Sequence, residues 1–125
     1  MHITWPVLSK RKPQYIDATD DTAALLLENR NYVLLRRFTA KEEIRRLIAA
    51  PYEATTNLSP VLGLENHLNY ICRPTAEISI EEAYGLAALL SSSLYDTYFR
   101  SFNGNTQISA TELRNTPELH CARDE

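Results

Sequence analysis

Glycine is scarce in this sequence, and so are cysteine, methionine and tryptophan: three, two, one and one residues in 125. The glycine shortage excludes most. Gly63, Gly85 and Gly104 stand far apart and none belongs to a Gly-x-Gly, so the usual loop for a dinucleotide or adenosyl cofactor cannot be built. Cys72 and Cys121 supply no disulfide framework and fit a reducing compartment. Neither the His67–Cys72 spacing nor the adjacent His120–Cys121 pair matches a zinc pattern, so no metal is expected. Ser91, Ser92 and Ser93 lack the Gly-x-Ser-x-Gly setting of an activated nucleophile. No apolar run reaches the ~18–20 residues that a membrane-spanning helix requires. The N-terminus MHITWPVLSKRKP lacks the basic region, apolar core and cleavage site of a secretory signal, and a cytoplasmic location is expected.

What is present suits one globular domain, at 44% hydrophobic and 23% charged residues. The net charge of −3 argues against a simple nucleic-acid binder, which usually has a basic balance. The charge is segregated, however. Residues 1–50 hold nine Lys and Arg against six acids, and residues 51–125 hold four against ten. Such a chain can offer a basic face while being acidic in sum.

The strongest local signals lie between Ser79 and Leu113. Ala83, Leu86, Leu90, Leu94 and Tyr98 recur at helical spacing and predict an apolar stripe facing a core. Ser79 and Glu82 form a Ser-x-x-Glu capping box, while Gly85 and the three serines weaken the interior. Two helices joined at the serines are therefore predicted, over Ile80–Leu90 and Leu94–Phe102, with Tyr95, Tyr98, Phe99 and Phe102 mostly in the core. Glu81 and Glu82 suit the first-turn end of a helix dipole better than a catalytic pair. Asn103-Gly104-Asn105 stops the second helix, and Ser109 with Glu112 opens a short third.

Upstream, residues 1–24 have no sustained period and are read as an extended arm, which Trp5-Pro6 and Lys12-Pro13 favour. Lys10-Arg11-Lys12 is a short basic cluster that can touch phosphate or simply be solvated. The abrupt opening at MHITWP is read as a truncated reading frame. Leu25–Leu27, Glu28–Asn31 and Tyr32–Phe38 read as strand, turn and strand, the second strand central in its sheet. Thr39 and Glu42 form a third capping box that starts a helical turn. Val61–Leu64 and His67–Ile71 are two short strands or one strand with a bulge near Gly63. The sum is an α+β fold, a small mixed β-sheet packed against a helical hairpin over residues 25–115, with a frayed tail at 116–125.

The run LSSSLYDTYFRSFNGNTQISATELRN, together with NYVLLRRFTAKEEIRRLIAAPY at Asn31–Tyr52 and GLENHLNYI at Gly63–Ile71, resembles the C-terminal target-recognition region of adenine-specific (N6) DNA methyltransferases of restriction–modification systems. The three blocks span most of Asn31–Asn115 in order. The resemblance implies a short turn and a second strand ending at Pro51-Tyr52. It also implies a domain that faces a catalytic domain across a DNA cleft and grips the duplex while the adenine is flipped out. The family's Asn-Pro-Pro-Tyr or Asp-Pro-Pro-Tyr motif is missing here. The chain is therefore expected to be non-catalytic alone, with S-adenosylmethionine bound only by the catalytic domain or subunit that it partners.

Arg36, Arg37, Lys41, Arg45 and Arg46 cluster against only Glu42 and Glu43, and a guanidinium fork suits phosphate. A salt-bridged solvated face is the competing reading. Asn66 can read adenine by a bidentate pair or close a turn, with His67 beside it. Arg100, Asn103, Asn105, Thr106 and Gln107 can contact phosphates and base edges or bond the loop internally. The expected DNA-binding set is thus Arg36, Arg37, Lys41, Arg45, Arg46, Asn66, His67, Arg100, Asn103, Asn105 and Gln107, on double-stranded DNA. The alternative is a protein-interaction module that docks on a methyltransferase domain or subunit, or pairs with a second copy as a homodimer.

Overall fold

Strand β2 (Tyr32–Arg36) explains the architecture, because its apolar side chains alternate into two separate cores. The computed structural model describes residues 16–40, 42–104 and 107–115. On one face Val33 and Leu35 join Leu47, Ile78, Ala83, Ala87, Leu90, Tyr95, Phe99, Ile108 and Leu113. On the other, Tyr32 and Leu34 meet Tyr52 and Leu62. A strand covered on both sides needs no polar alternation, which is why Tyr32–Leu35 reads as a continuous apolar run.

β2 is the middle strand of a three-stranded antiparallel sheet, between β3 (Ala49–Tyr52) and β5 (Leu68–Ile71). The register sets Leu34 opposite Ala50 on one side and Tyr70 on the other. Pro51 is tolerated because β3 is an edge strand. β1 (Leu26–Glu28) and β4 (Val61–Gly63) form a second antiparallel pair. The strands on either side of the Glu28–Asn31 turn are thus not partners, and the two apolar runs around Gly63 are two strands in different sheets. The turn itself is a hub of amides. Asn29 Nδ2 donates to the Ala54 and Asn57 carbonyls at 2.9 and 3.1 Å, and Asn31 Nδ2 donates to the Ile78 carbonyl at 3.0 Å.

α1 (Ile80–Leu90) packs across β3 and β2, and α2 (Ser93–Phe102) follows it. Ser79 and Glu82 make both bonds of the capping box, as do Ser109 and Glu112 ahead of α3 (Ala110–Arg114). Ser92 caps α2 by accepting from the Tyr95 N–H, while Ser91 Oγ accepts from the Ala49 N–H at 3.3 Å and ties the helix joint to the sheet. Ser92 opens a new helix, so the helical spacing of α1 does not carry over into α2. Tyr95 and Phe99 are buried, whereas Leu94, Tyr98 and Phe102 are exposed, so the predicted stripe is a core stripe only as far as Leu90.

Two further expectations change. Thr39 does not open a helical turn: its hydroxyl is buried and donates to the Arg46 carbonyl, and residues 42–48 run as a turn and bends into β3. Residues 20–25 are turns rather than extended chain, because Thr22 Oγ1 donates to the Asp17 carbonyl and Ala23–Leu25 form a 3-10 turn. The proline pairs and Lys10-Arg11-Lys12 lie outside the described residues, as does the C-terminal tail.

Candidate nucleic-acid interface

The candidate surface lies where β2 runs out of the sheet. The Arg37 N–H donates to the His67 carbonyl at 2.8 Å, and the Ile108 N–H donates to the Arg37 carbonyl at 2.7 Å. Phe38 and Gln107 form an isolated antiparallel bridge, and Asn69 Nδ2 donates to the Ile108 carbonyl at 3.0 Å. Three segments distant in sequence are thereby fixed together: residues 36–38, 66–69 and 107–108.

Their side chains interlock. In the amide orientation that satisfies both groups, Gln107 accepts from Arg37 Nε at 2.9 Å and from Nη2 at 2.7 Å. The third Arg37 nitrogen, Nη1, points to the Asn66 carbonyl at 3.5 Å, and the guanidinium carbon sits 5.8 Å from the Phe38 ring centroid. His67 meets the Phe38 ring edge-on at 5.5 Å and has Nδ1 2.9 Å from Glu65 Oε1. Arg36 Nη1 donates to Glu43 Oε1 at 3.1 Å. Arg36, Phe38, Glu65, His67 and Leu68 line an open depression of about 450 Å3.

Of the expected set, Arg36, Arg37, Asn66, His67 and Gln107 come together here. Arg45 is half-buried on the neighbouring loop, with Nη1 on the Ile44 carbonyl. Lys41 and Asn105 lie outside the described residues.

Arg46 and Asn103 require correction, because both are buried and built into the scaffold. Arg46 Nη1 donates to the Thr39 carbonyl at 2.8 Å and also to its hydroxyl, and Nη2 donates to Asn103 Oδ1 at 3.0 Å. Asn103 Nδ2 in turn donates to Glu112 Oε1 at 2.8 Å. Arg100 is partly engaged in the same staple: its Nε donates to the Asp96 carboxylate at 3.0 Å and its Nη2 to the Glu43 carbonyl at 2.7 Å. The Arg46 N–H completes it by donating to Asp96 Oδ1 at 2.6 Å. The loop that carries half of the basic run is therefore bolted to α2.

The charges confirm the division. Burial, and then the charge of Arg100, lower the pKa of Arg46. Burial also works against the Asp96 carboxylate, but the Arg46 backbone N–H and the Arg100 guanidinium outweigh it and hold its pKa below the usual aspartate value. Every buried side-chain polar atom among the described residues has a partner.

Sequence reasoning missed Phe38, Glu65, Asp96 and Thr39. For Phe38 the available signal was an aromatic ring directly after an Arg-Arg pair, and for Asp96 the i, i+4 spacing to Arg100. Among the described residues no three His, Cys, Asp or Glu side chains converge as metal ligands, and no helix is long and apolar enough to cross a membrane. A Cβ at Gly63 would meet the Ile16 side chain at 2.9 Å, which is where the chain needs a glycine for close packing.

No family model matches the chain, and no solved structure matches it. Two curated proteins do. The Type II methyltransferase M.PstI of Providencia stuartii is 40% identical over 112 residues, covering 90% of this chain and 22% of that protein. The Type II methyltransferase M.BsuBI of Bacillus subtilis is 42% identical over 112 residues, with the same coverage. The chain spans 22% of the length of the curated relatives it matches, and what it matches is therefore one part of a Type II methyltransferase.

Proposed function

We infer that the chain is the non-catalytic DNA-recognition part of a site-specific adenine-N6 DNA methyltransferase, clamping double-stranded DNA and contributing to its sequence specificity. The observation that carries this reading is the joining of Arg36, Arg37, Asn66, His67 and Gln107 on one surface, from three separate segments held by main-chain bonds. A rigid frame carrying guanidinium and amide groups is what phosphate positioning and base-edge contact require. The 40% and 42% identities to parts of two Type II methyltransferases support the enzyme class. S-adenosylmethionine and the methyl-transfer chemistry belong, on this reading, to the remainder of the enzyme, whether in the same polypeptide or in a partner subunit.

Binding to a mixed-sequence duplex, followed across ionic strength, tests the clamp. An interface that neutralises Z phosphates loses affinity with a log–log slope of about −0.9 per phosphate, so a slope near −2 to −4 is expected from the arginines and histidine at this surface. Binding that ignores salt, or no binding even at low salt, would reject the clamp.

A second reading rests on a different observation. Leu94, Tyr98 and Phe102 are exposed at successive i, i+4 positions of α2, with the last two rings 5.0 Å apart. Such a stripe suits docking on the methyltransferase's catalytic domain or subunit, or on a second copy of this chain. Concentration-dependent mass that Tyr98→Glu abolishes would favour the homodimer.

A further inference from the structure

Resting on the DNA-clamp reading, we propose that Phe38 is a stacking post for a nucleobase turned out of its own stack and received in the depression beside Arg36 and His67. Phe38 is 41% exposed although it lies two residues beyond a strand whose first four side chains are buried. Its main chain is fixed by the bridge to Gln107 and by the bonds that Arg37 makes to His67 and Ile108. An aromatic ring on a fixed backbone is a contact that costs little ordering when a ligand arrives.

The surroundings hold the ring while leaving it 41% exposed: the Arg37 guanidinium lies over it, 5.8 Å from its centroid, and part of the ring surface remains open. His67 touches it edge-on, tilted 66°, and the Arg37 guanidinium is itself tied down by Gln107. The depression that this ring lines is about 450 Å3, within the ~300–1,000 Å3 typical of sites for small organic groups. Its chemistry suits a nucleotide more than an aliphatic side chain. Phe38 and Leu68 supply apolar contact, and Arg36, also in the lining, supplies a cation for the phosphate that accompanies the base. Stacking tolerates any base, because every base has a π-face. The post therefore adds affinity for a displaced base and leaves base identity to other side chains.

The test uses the whole chain and two labelled oligonucleotides of about ten nucleotides, one of thymidylate and one abasic with the same phosphates, followed by fluorescence anisotropy. The wild type is expected to prefer the oligomer with bases by roughly five- to a hundredfold. Phe38→Trp should keep that preference. Phe38→Leu, which retains apolar bulk but no π-face, should bring it to within about twofold and leave the salt slope unchanged. Equal binding of both oligomers by the wild type, or an undiminished preference in Phe38→Leu, overturns the stacking post. Duplex binding measured alongside separates the two readings: an intact, salt-dependent duplex interaction with no base preference removes only the post, whereas no binding to any of the three removes the clamp as well.

Discussion

Arg37 and Arg46 belong to one basic run, yet they end in opposite surroundings. Arg37 lies at the surface, its fork held by the Gln107 amide and its guanidinium over the Phe38 ring. Arg46 is only 2% exposed, with its fork spent on Thr39 and Asn103. The difference is in the acceptors. Around Arg37 they are arranged so that the charge remains near solvent. Around Arg46 they are main-chain and amide oxygens that themselves need a donor. A cluster of arginines in sequence is thus two devices in space: a charged surface, and a bolt that sets the loop beneath it.

Removing the bolt should give the largest effect. Arg46→Ala leaves the Thr39 carbonyl and Asn103 Oδ1 buried without their guanidinium donor, each costing about 1–3 kcal/mol, and also deletes a packed side chain. A loss of about 3 kcal/mol in urea unfolding is expected, against less than about 1 kcal/mol for Arg37→Ala. Equal losses for the two variants would erase the distinction.

The distinction was not legible in the sequence, and the reason is range. Asn103 is 57 positions from Arg46, and nothing local marks an arginine that will meet such an acceptor. Features with local causes were legible. Both Ser-x-x-Glu boxes that cap α1 and α3 rest on bonds within three residues, and the double-sided burial of β2 follows from its unbroken apolar run. The α2 stripe failed because its spacing was counted through the Ser91–Ser92 joint, where a new helix resets the phase. The partner of β1 was not named from the sequence, because strand pairing between Leu26–Glu28 and Val61–Gly63 is a nonlocal choice.

Acid sharpens the comparison at intermediate size. Asp96 receives the Arg46 N–H and the Arg100 guanidinium, and its pKa is lower folded than unfolded. A depressed carboxylate contributes stability that is complete above the unfolded value near ~3.9 and is lost as pH falls through the folded one. Urea unfolding of wild type and Asp96→Asn should therefore differ most above about pH 5, the gap narrowing towards about pH 2. A gap that stays constant over this range would mean that the Asp96 charge plays no part in the staple.

A smaller effect on folding, and the most telling one for the surface, belongs to Arg36→Ala. Arg36 and Glu43 form a partly buried ion pair, with side chains 26% and 20% exposed, and the surrounding main-chain bonds do not depend on it. Exposed pairs contribute roughly 0–1 kcal/mol and this partly buried one somewhat more, so the loss should stay within about 1–2 kcal/mol, below that of Arg46→Ala. Duplex affinity should nevertheless fall across all sequences, with the log–log salt slope reduced by about 1, because one phosphate contact is lost. Glu43→Gln makes the reciprocal change by freeing the Arg36 fork, and tighter binding is expected. If the two variants shift affinity in the same direction, Arg36 is held for the sake of Glu43 and the loop, and the rim of the depression belongs with Arg46 rather than with Arg37.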